Sequence, residues 1–334
     1  MAVVTTAGPS SAEPGAHEQR ELLRWVAELY YIQQQGQAEI AGLIGVSVSK
    51  ISRLLAEARR QGIVTITVAD SQVGESELER ELAWRLGLER VYVAPARVTD
   101  PAVASRVAAL TAARLLPDLL PNQGVIGLSG GYTVAQLARS LEPQPGTDLL
   151  IVPLQGNWVE GGAHLHNDQV CRDAAQRLGG RALSLPAPML VERAATRDAL
   201  MHDKSIRPVT DRWGELNVAI VGVGTSPAAE APGYQSVVSQ LGEMMRADLV
   251  RQGVVGDLCA HMFDVHGQFV DHEVSRRTLG ISIPDLRRVP RVIAVAAGAA
   301  KAESLLGAVR TGIPHILITD QLAAEHLLTL ARGS

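Results

Sequence analysis

Three stretches of this 334-residue sequence share one grammar, an apolar run, a glycine-bearing turn and a helix-forming segment. Ile126-Gly127-Leu128 leads into Ser129-Gly130-Gly131-Tyr132-Thr133. Ile220-Val221 leads into Gly222-Val223-Gly224-Thr225, and Ala294-Val295-Ala296 into Ala297-Gly298-Ala299-Ala300-Lys301. Glycine lets a ligand approach the backbone and a helix N-terminus attracts anions, so such turns suit a phosphorylated small molecule. Any one of them is explained equally well by packing; three together argue for a shared site. Lys301 sharpens the case, because a cation beside a helix N-terminus is disfavoured by up to about 1 kcal/mol unless a phosphate or carboxylate partners it. Asp257 has two readings, a cap for a following helix or an acceptor for sugar hydroxyls. Gln155-Gly156-Asn157 offer amides suited to a polyol, or simply a turn. His164, His166 and Asn167 lack a carboxylate at metal-ligand spacing, so neither a metal nor a cofactor is expected, and no residue is assigned a catalytic role.

A second chemistry is written into Gln37 to Arg60. Ala38, Glu39, Ile40, Ala41, Leu43 and Ile44 favour a helix, Gly45 supplies a bend, and Ser47 is placed to cap the next helix. Ile40, Ile44, Val46, Ile51, Leu54 and Leu55 recur at helical spacing, which leaves Ser47, Val48, Ser49, Lys50, Ser52 and Arg53 facing outward. Two short helices joined this way fit the DNA major groove, with the N-terminal residues of the second reading base edges and Ser, Lys and Arg holding phosphates. From Ser47 to Gly62, Lys50, Arg53, Arg59 and Arg60 stand against Glu57, a basic patch in a chain of net charge −4. A solvated helical hairpin is the plainer alternative. Against it, Ala41, Gly45, Val46 and Ile51 fall where a helix-turn-helix needs a small, a turning and two buried residues.

The elements that must position these residues follow from periodicity. Residues 1–17, rich in Ala, Gly, Pro, Ser and Thr, are expected to form a disordered tail. Glu18 to Gln34 carries Leu22, Leu23, Val26, Leu29, Tyr30 and Ile32 on one face as a supporting helix that Gly36 ends. Gln61-Gly62 caps the second helix of the pair, and Ile63 to Val68 alternates as the strand of a wing. The DNA-binding domain therefore spans 18–70. A linker and connecting helix occupy 71–90, with Leu78, Leu82 and Leu86 packing either within the chain or against a second copy.

From Val91 onward, short apolar runs alternate with helical segments: Val91 to Ala94, Val125 to Leu128, Leu149 to Leu154, Ala182 to Leu185, Val218 to Val221, Val292 to Ala296 and His315 to Thr319. This is the pattern of βαβ units, so 91–334 is expected to be an α/β domain around a mostly parallel sheet. With 46% hydrophobic but only 3% aromatic residues, its core is aliphatic. Cys171 and Cys259 are too isolated for a disulfide framework or a zinc site. No apolar run is long enough to span a bilayer and no signal-peptide pattern opens the chain, so a cytoplasmic protein without a membrane partner is expected.

These residues resemble the SorC family of bacterial transcriptional regulators, also called DeoR-type sugar-binding regulators. The resemblance rests on ELYYIQQQGQAEIAGLIGVSVSKISRLLAEARRQGIVTITV, GLSGGYTV, LPAPMLVE, VGVGT, GVVGDLCAHMFDVHG and VIAVAAGAAKAESLLGAVRTG, in that order. It implies a winged helix-turn-helix head and an effector domain similar to ribose-5-phosphate isomerase and glucosamine-6-phosphate deaminase, used for sensing. By the same resemblance, Ser129 to Thr133 would hold a phosphate, Asp257 hydroxyls, and Lys301 an anionic or carbonyl end. The family often has Trp-Gly-Arg/Thr-Thr where this chain has Gly130-Gly131-Tyr132-Thr133, and an Arg where Val48 stands, which points to a different ligand and a different operator.

The leading expectation is thus a homodimeric or homotetrameric regulator whose binding to operator DNA responds to a sugar or sugar phosphate held by Ser129, Gly130, Gly131, Tyr132, Thr133, Gln155, Gly156, Asn157, Gly222, Gly224, Asp257 and Lys301. The alternative is a sugar-phosphate isomerase or deaminase bearing a DNA-binding head. Asp257 and Glu303 are its candidate bases, although no paired carboxylates stand near the glycine turns. A DNA-binding oligomer with a relic crevice is a third reading.

Overall fold

A computed structural model describes residues 2–5, 14–68, 76–144, 146–157, 165–228 and 241–333, and the chain divides into two compact units, Met1–Gly74 and Glu75–Ser334. In the first unit, α1 (Pro14–Ala27) runs into a π-helical turn, Glu28–Ile32, and α2 (Gln37–Ile44) and α3 (Val48–Arg60) follow. Leu23, Val26, Leu29, Ile40, Ala41, Ile51, Leu55 and Ala58 are buried where the three helices meet. Gly45 turns the chain in the left-handed region at φ 75°. Ser47 then accepts the Lys50 N–H at 3.2 Å, occupying one of the donors a helix start leaves unpaired.

Within residues 1–17, the described stretch β1 (Ala2–Thr5) pairs antiparallel with β2 (Thr65–Val68), and α1 begins at Pro14. Two expectations are corrected in this unit. Gly36 does not end the first helix. The chain reverses at Gln34, which has φ 55°, and Gly36 is the N-cap of α2, its N–H donating to Glu39 at 2.8 Å. Ile32, expected on the buried face, is 60% exposed: the wider π turn keeps Leu29 in the core but brings Ile32 round to solvent.

The second unit is built on seven strands: β3 (Arg90–Ala94), β4 (Gln123–Leu128), β5 (Asp148–Pro153), β6 (Arg181–Ala182), β7 (Leu216–Val221), β10 (Arg291–Val295) and β11 (Ile316–Asp320). Their order is β3-β11-β10-β7-β4-β5-β6, and every pairing is parallel. Between β7 and β10, β8 (Val254–Leu258) and β9 (His261–Asp264) form a separate antiparallel hairpin. Successive side chains alternate faces, and both faces are covered. Ile126, Ile151, Val218, Ile220, Ile293 and Ile318 pack under α5 (Pro101–Leu119), α6 (Tyr132–Ser140) and α7 (Asn167–Leu178). Val152, Ala219, Val221, Ala294 and Leu317 face the opposite layer. That layer contains α4 (Glu77–Leu86), α13 (Ala302–Arg310) and α14 (Gln321–Arg332), with shorter helices α8 (Ala194–Met201), α9 (Arg207–Thr210), α10 (Glu243–Arg251), α11 (Glu273–Arg277) and α12 (Ile283–Arg288) between strands. Ala104, Ala108, Ala109, Ala112 and Ala113, all buried, let α5 lie close on the sheet.

The seven apolar runs of the sequence are the seven strands, with one shortened. The run from Ala182 leaves the sheet after Leu183, whose N–H still donates to Ile151 O at 3.0 Å, and the Leu185 N–H donates to Asp168 instead of a ladder partner. The connecting helix α4 belongs to the effector unit: Leu82 is fully buried in its core, Leu78 and Leu86 pack against it, and Glu81 pairs with Arg332 of α14 at 2.7 Å. Intramolecular packing therefore accounts for the leucines.

Candidate functional site

In a parallel sheet all turns after the strands lie along one edge. Because β4, β7 and β10 are consecutive in the sheet, the three glycine turns are immediate neighbours. Ser129 stitches two of them: its N–H donates to Ile220 O at 3.0 Å, and its Oγ accepts the Gly222 N–H at 3.0 Å. Gly131 (φ 111°) precedes α6 and Gly298 (φ 102°) precedes the short 3-10 helix Ala299–Lys301 that enters α13. Both occupy conformations that side chains resist, so the matching turns need glycine at matching places. Asp320, missed in the sequence, fixes the third turn by accepting the Gly298 N–H at 2.6 Å while capping α14.

The hairpin β8–β9 delivers Asp257. No helix follows it, so the capping reading is overturned: Oδ2 instead accepts the Ala260 N–H at 2.9 Å across a tight turn in which Cys259 and Ala260 hold φ of 49° and 65°. Gly224 donates its N–H to Asp257 O at 2.8 Å. Lys301 is buried with Asp257 and donates from Nζ to Val223 O. Burial pushes the Asp257 carboxyl up to about 6, against the pull of the Ala260 N–H and the nearby Lys301 cation. Burial likewise pushes Lys301 down to about 8, opposed by the Asp257 charge. The lysine beside a helix start thus has a carboxylate neighbour from within the chain. Glu303, the other candidate base, is exposed on α13. Cys259 is raised by burial and by Asp257, and Cys171 by burial, so neither thiol is primed to react.

Next along the edge, after β5, Gln155 is buried with Nε2 against Met189 Sδ at 3.2 Å, and Gly156 fits so tightly that a Cβ would lie 2.5 Å from Pro188 O. Asn157 acts as a brace within the chain. Its amide donates to Asp168 Oδ2 and Leu185 O and accepts the Asp168 N–H, locking the start of α7 to this loop. Asn167, fully buried at the first position of α7, donates to Gln155 O at 2.8 Å and Leu128 O at 3.3 Å. His164 lies outside the described residues. The sequence signal for Asn167 was an Asn-Asp pair opening a helix, and for Thr225 its place in the second glycine turn. Among the described residues, five buried side-chain oxygens have no hydrogen-bond partner: Thr319 Oγ1 on β11, and Gln155 Oε1, Asn167 Oδ1, Thr225 Oγ1 and Asp257 Oδ1 beside the ends of β4, β5 and β7. Buried polar atoms are almost always paired, so four orphans at one edge call for donors from outside the chain. Tyr132, half-buried, accepts from Arg106 Nε at 3.2 Å, placing a guanidinium beside the α6 start.

In the other unit, Ser47, Val48, Ser49, Lys50, Ser52 and Arg53 are all exposed along the first turns of α3. Arg60 is paired with Glu57 at 2.6 Å, and that contact, with Gln61, holds the Glu57 carboxyl below its usual range. Lys50, Arg53 and Arg59 remain as the exposed cations of the helix.

Residues 70–329 match the model of the family described as "Putative sugar-binding domain". The chain is 29% identical over 307 residues to the sorbitol operon regulator of Klebsiella pneumoniae, covering 91% of this chain and 96% of that one. It is 26% identical over 313 residues to the deoxyribonucleoside regulator of Bacillus subtilis strain 168, covering 93% and 98%. The crystal structure of the full-length sorbitol operon regulator SorC from Klebsiella pneumoniae superposes with a TM-score of 0.69 over 93% of this chain and 99% of that one, at 29% identity. A helix-turn-helix unit, a parallel sheet whose glycine turns share one edge, and similarity over nearly the whole length lead to one conclusion: the chain belongs to the SorC family of sugar-binding transcriptional regulators.

Proposed function

We propose that this protein is a transcriptional regulator whose operator binding is set by a sugar or sugar phosphate at the C-terminal edge of the parallel sheet. The observation that carries this reading is the set of four buried, unpartnered oxygens on the strand ends beside the Asp257–Lys301 pair. Hydroxyl groups would pair those acceptors, and the start of α6, with Arg106 alongside, would take a phosphate. The direct contacts are Ser129, Gly130, Gly131, Tyr132, Thr133, Gln155, Gly222, Gly224, Thr225, Asp257 and Lys301, with Gly156 and Asn157 shaping the wall. Relatives named for sorbitol and deoxyribonucleosides support a polyhydroxylated effector.

Operator DNA is read by α3. Val48 and the Ser47, Ser49 and Ser52 hydroxyls face base edges, and Lys50 and Arg53 hold phosphates. The protein acts as a homodimer or homotetramer in the cytoplasm, pairing two reading heads on two half-sites. Among the described residues no helix is long and apolar enough to cross a membrane. The effector works through its different affinity for the DNA-competent and DNA-incompetent arrangements. The protein is a sensor and not an enzyme. A second reading is favoured by Asp257, whose raised pKa would suit a general base.

Thermal shift against a panel of sugars and sugar phosphates tests the sensing half: a hit that Lys301→Ala abolishes supports it, and silence across the panel contradicts it. Incubating the hit with the protein and following its conversion tests turnover.

A further inference from the structure

Among the described residues, Val48 is the one large apolar side chain exposed on α3, at 48%. The helical unit makes no use of it. Val46 and Ile51, on either side, already pack in the cluster with Ile40 and Leu55, and the helix start is capped by Ser47, whose Oγ accepts the Lys50 N–H. Its β-branching gives it no advantage as a helix former.

The surroundings of Val48 say what it meets. Ser47 and Ser49 flank it, both exposed, and Lys50, Arg53 and Arg59 are exposed cations of the same helix. An apolar tip on a helix that is otherwise polar and basic matches a surface with an anionic rim and an apolar group on its floor. The major groove is such a surface: phosphates line it, and the apolar group on its floor is the C5-methyl of thymine. A serine hydroxyl can meet any base edge, but valine has no donor or acceptor, so a polar edge held against it would lose water and gain no partner. The valine methyls are held close to one rotamer in a helix, so little freedom is lost when they make contact.

We propose that Val48 reads the C5-methyl group of a pyrimidine in each operator half-site, in thymine or equally in 5-methylcytosine. Discrimination at that step then follows the methyl group and not the hydrogen-bonding edge of the base. The inference rests on reading α3 as the helix that enters the groove.

The test begins with selection of duplexes by the full chain from a random-sequence pool. The selected duplex is then remade with uracil in place of each thymine in turn. At one thymine in each half-site, uracil is expected to weaken binding about threefold to fivefold, the worth of one buried methyl. With cytosine at that step, 5-methylcytosine is expected to bind tighter than cytosine by a similar factor. Val48→Ser, an exposed change of small effect on stability, should abolish both differences, and Val48→Ile should retain them. The inference is overturned if uracil weakens binding at no thymine, or if Val48→Ser keeps the full sensitivity to the methyl group. Enrichment of a sequence without methyl dependence removes this inference alone; failure to enrich any sequence removes the reading of α3 and the inference with it.

Discussion

Gly224 and Asp257 are fitted to one another: the glycine N–H donates to the aspartate carbonyl at 2.8 Å, and a Cβ added to Gly224 would lie 1.7 Å from Asp257 Oδ1. The second glycine turn therefore exists to let the hairpin carboxylate reach the sheet edge. Gly224→Ala must displace that carboxylate. Overpacking of this kind costs about 1–3 kcal/mol. The mutant is expected to melt at lower temperature and to lose response to the effector, as thermal unfolding with and without a sugar-phosphate hit would show.

The Asp257 carboxyl makes stability depend on acid. Its folded value of about 6 stands above the ordinary aspartate value of 3.8, so between the two the folded state holds a proton that the unfolded state releases. The stabilisation is fully present below the unfolded value and is lost as pH rises through about 6, an upper bound of about 3 kcal/mol. Comparing the unfolding free energies of wild type and Asp257→Asn between pH 4 and 7 should show a downward slope with pH in the wild type that is reduced in the variant. Parallel profiles would contradict it.

On α3, Ser47 combines a capping role with its place at the base edges, and Arg53 has a binding role alone. Ser47→Ala removes the cap on the Lys50 N–H and should cost about 1 kcal/mol of stability. Arg53→Ala should leave stability nearly unchanged, weaken operator binding, and reduce the salt-dependence slope by about one phosphate contact. An unchanged slope places Arg53 outside the interface.

Because Leu82 is fully buried in the effector core and Glu81 pairs with Arg332, α4 is part of that domain and not a tether. A fragment covering 76–334 should fold cooperatively. One covering 91–334 uncovers the Leu82 site and should expose hydrophobic surface, detectable as dye binding and loss of a sharp melting transition.

Much of this was legible in the sequence, for a physical reason. Strands buried on both faces leave unbroken apolar runs, and Val218 to Val221 or Val292 to Ala296 can be read directly. Gly45 and Ser47 mark their turn because few residues suit those positions. What stayed hidden depends on tertiary context. The β8–β9 hairpin turns through Cys259-Ala260, neither of them a turn residue, so nothing local distinguishes Asp257 from a helix cap. Asn157 and Asn167 carry the same amide, and only the position of α7 makes one a brace and the other an unsatisfied acceptor. The pairing of Ala2–Thr5 with Thr65–Val68 joins segments sixty residues apart, beyond the reach of composition.

In a regulator of this kind, occupancy of the sheet edge is expected to change the affinity of α3 for DNA. The direct measurement is titration of the full chain onto DNA from its own promoter, with and without the sugar phosphates that raise its melting temperature, for the wild type and for Lys301→Ala. A saturable change in operator affinity in the wild type, absent in the variant, is the predicted result; identical binding curves with and without a ligand that demonstrably occupies the edge would contradict it.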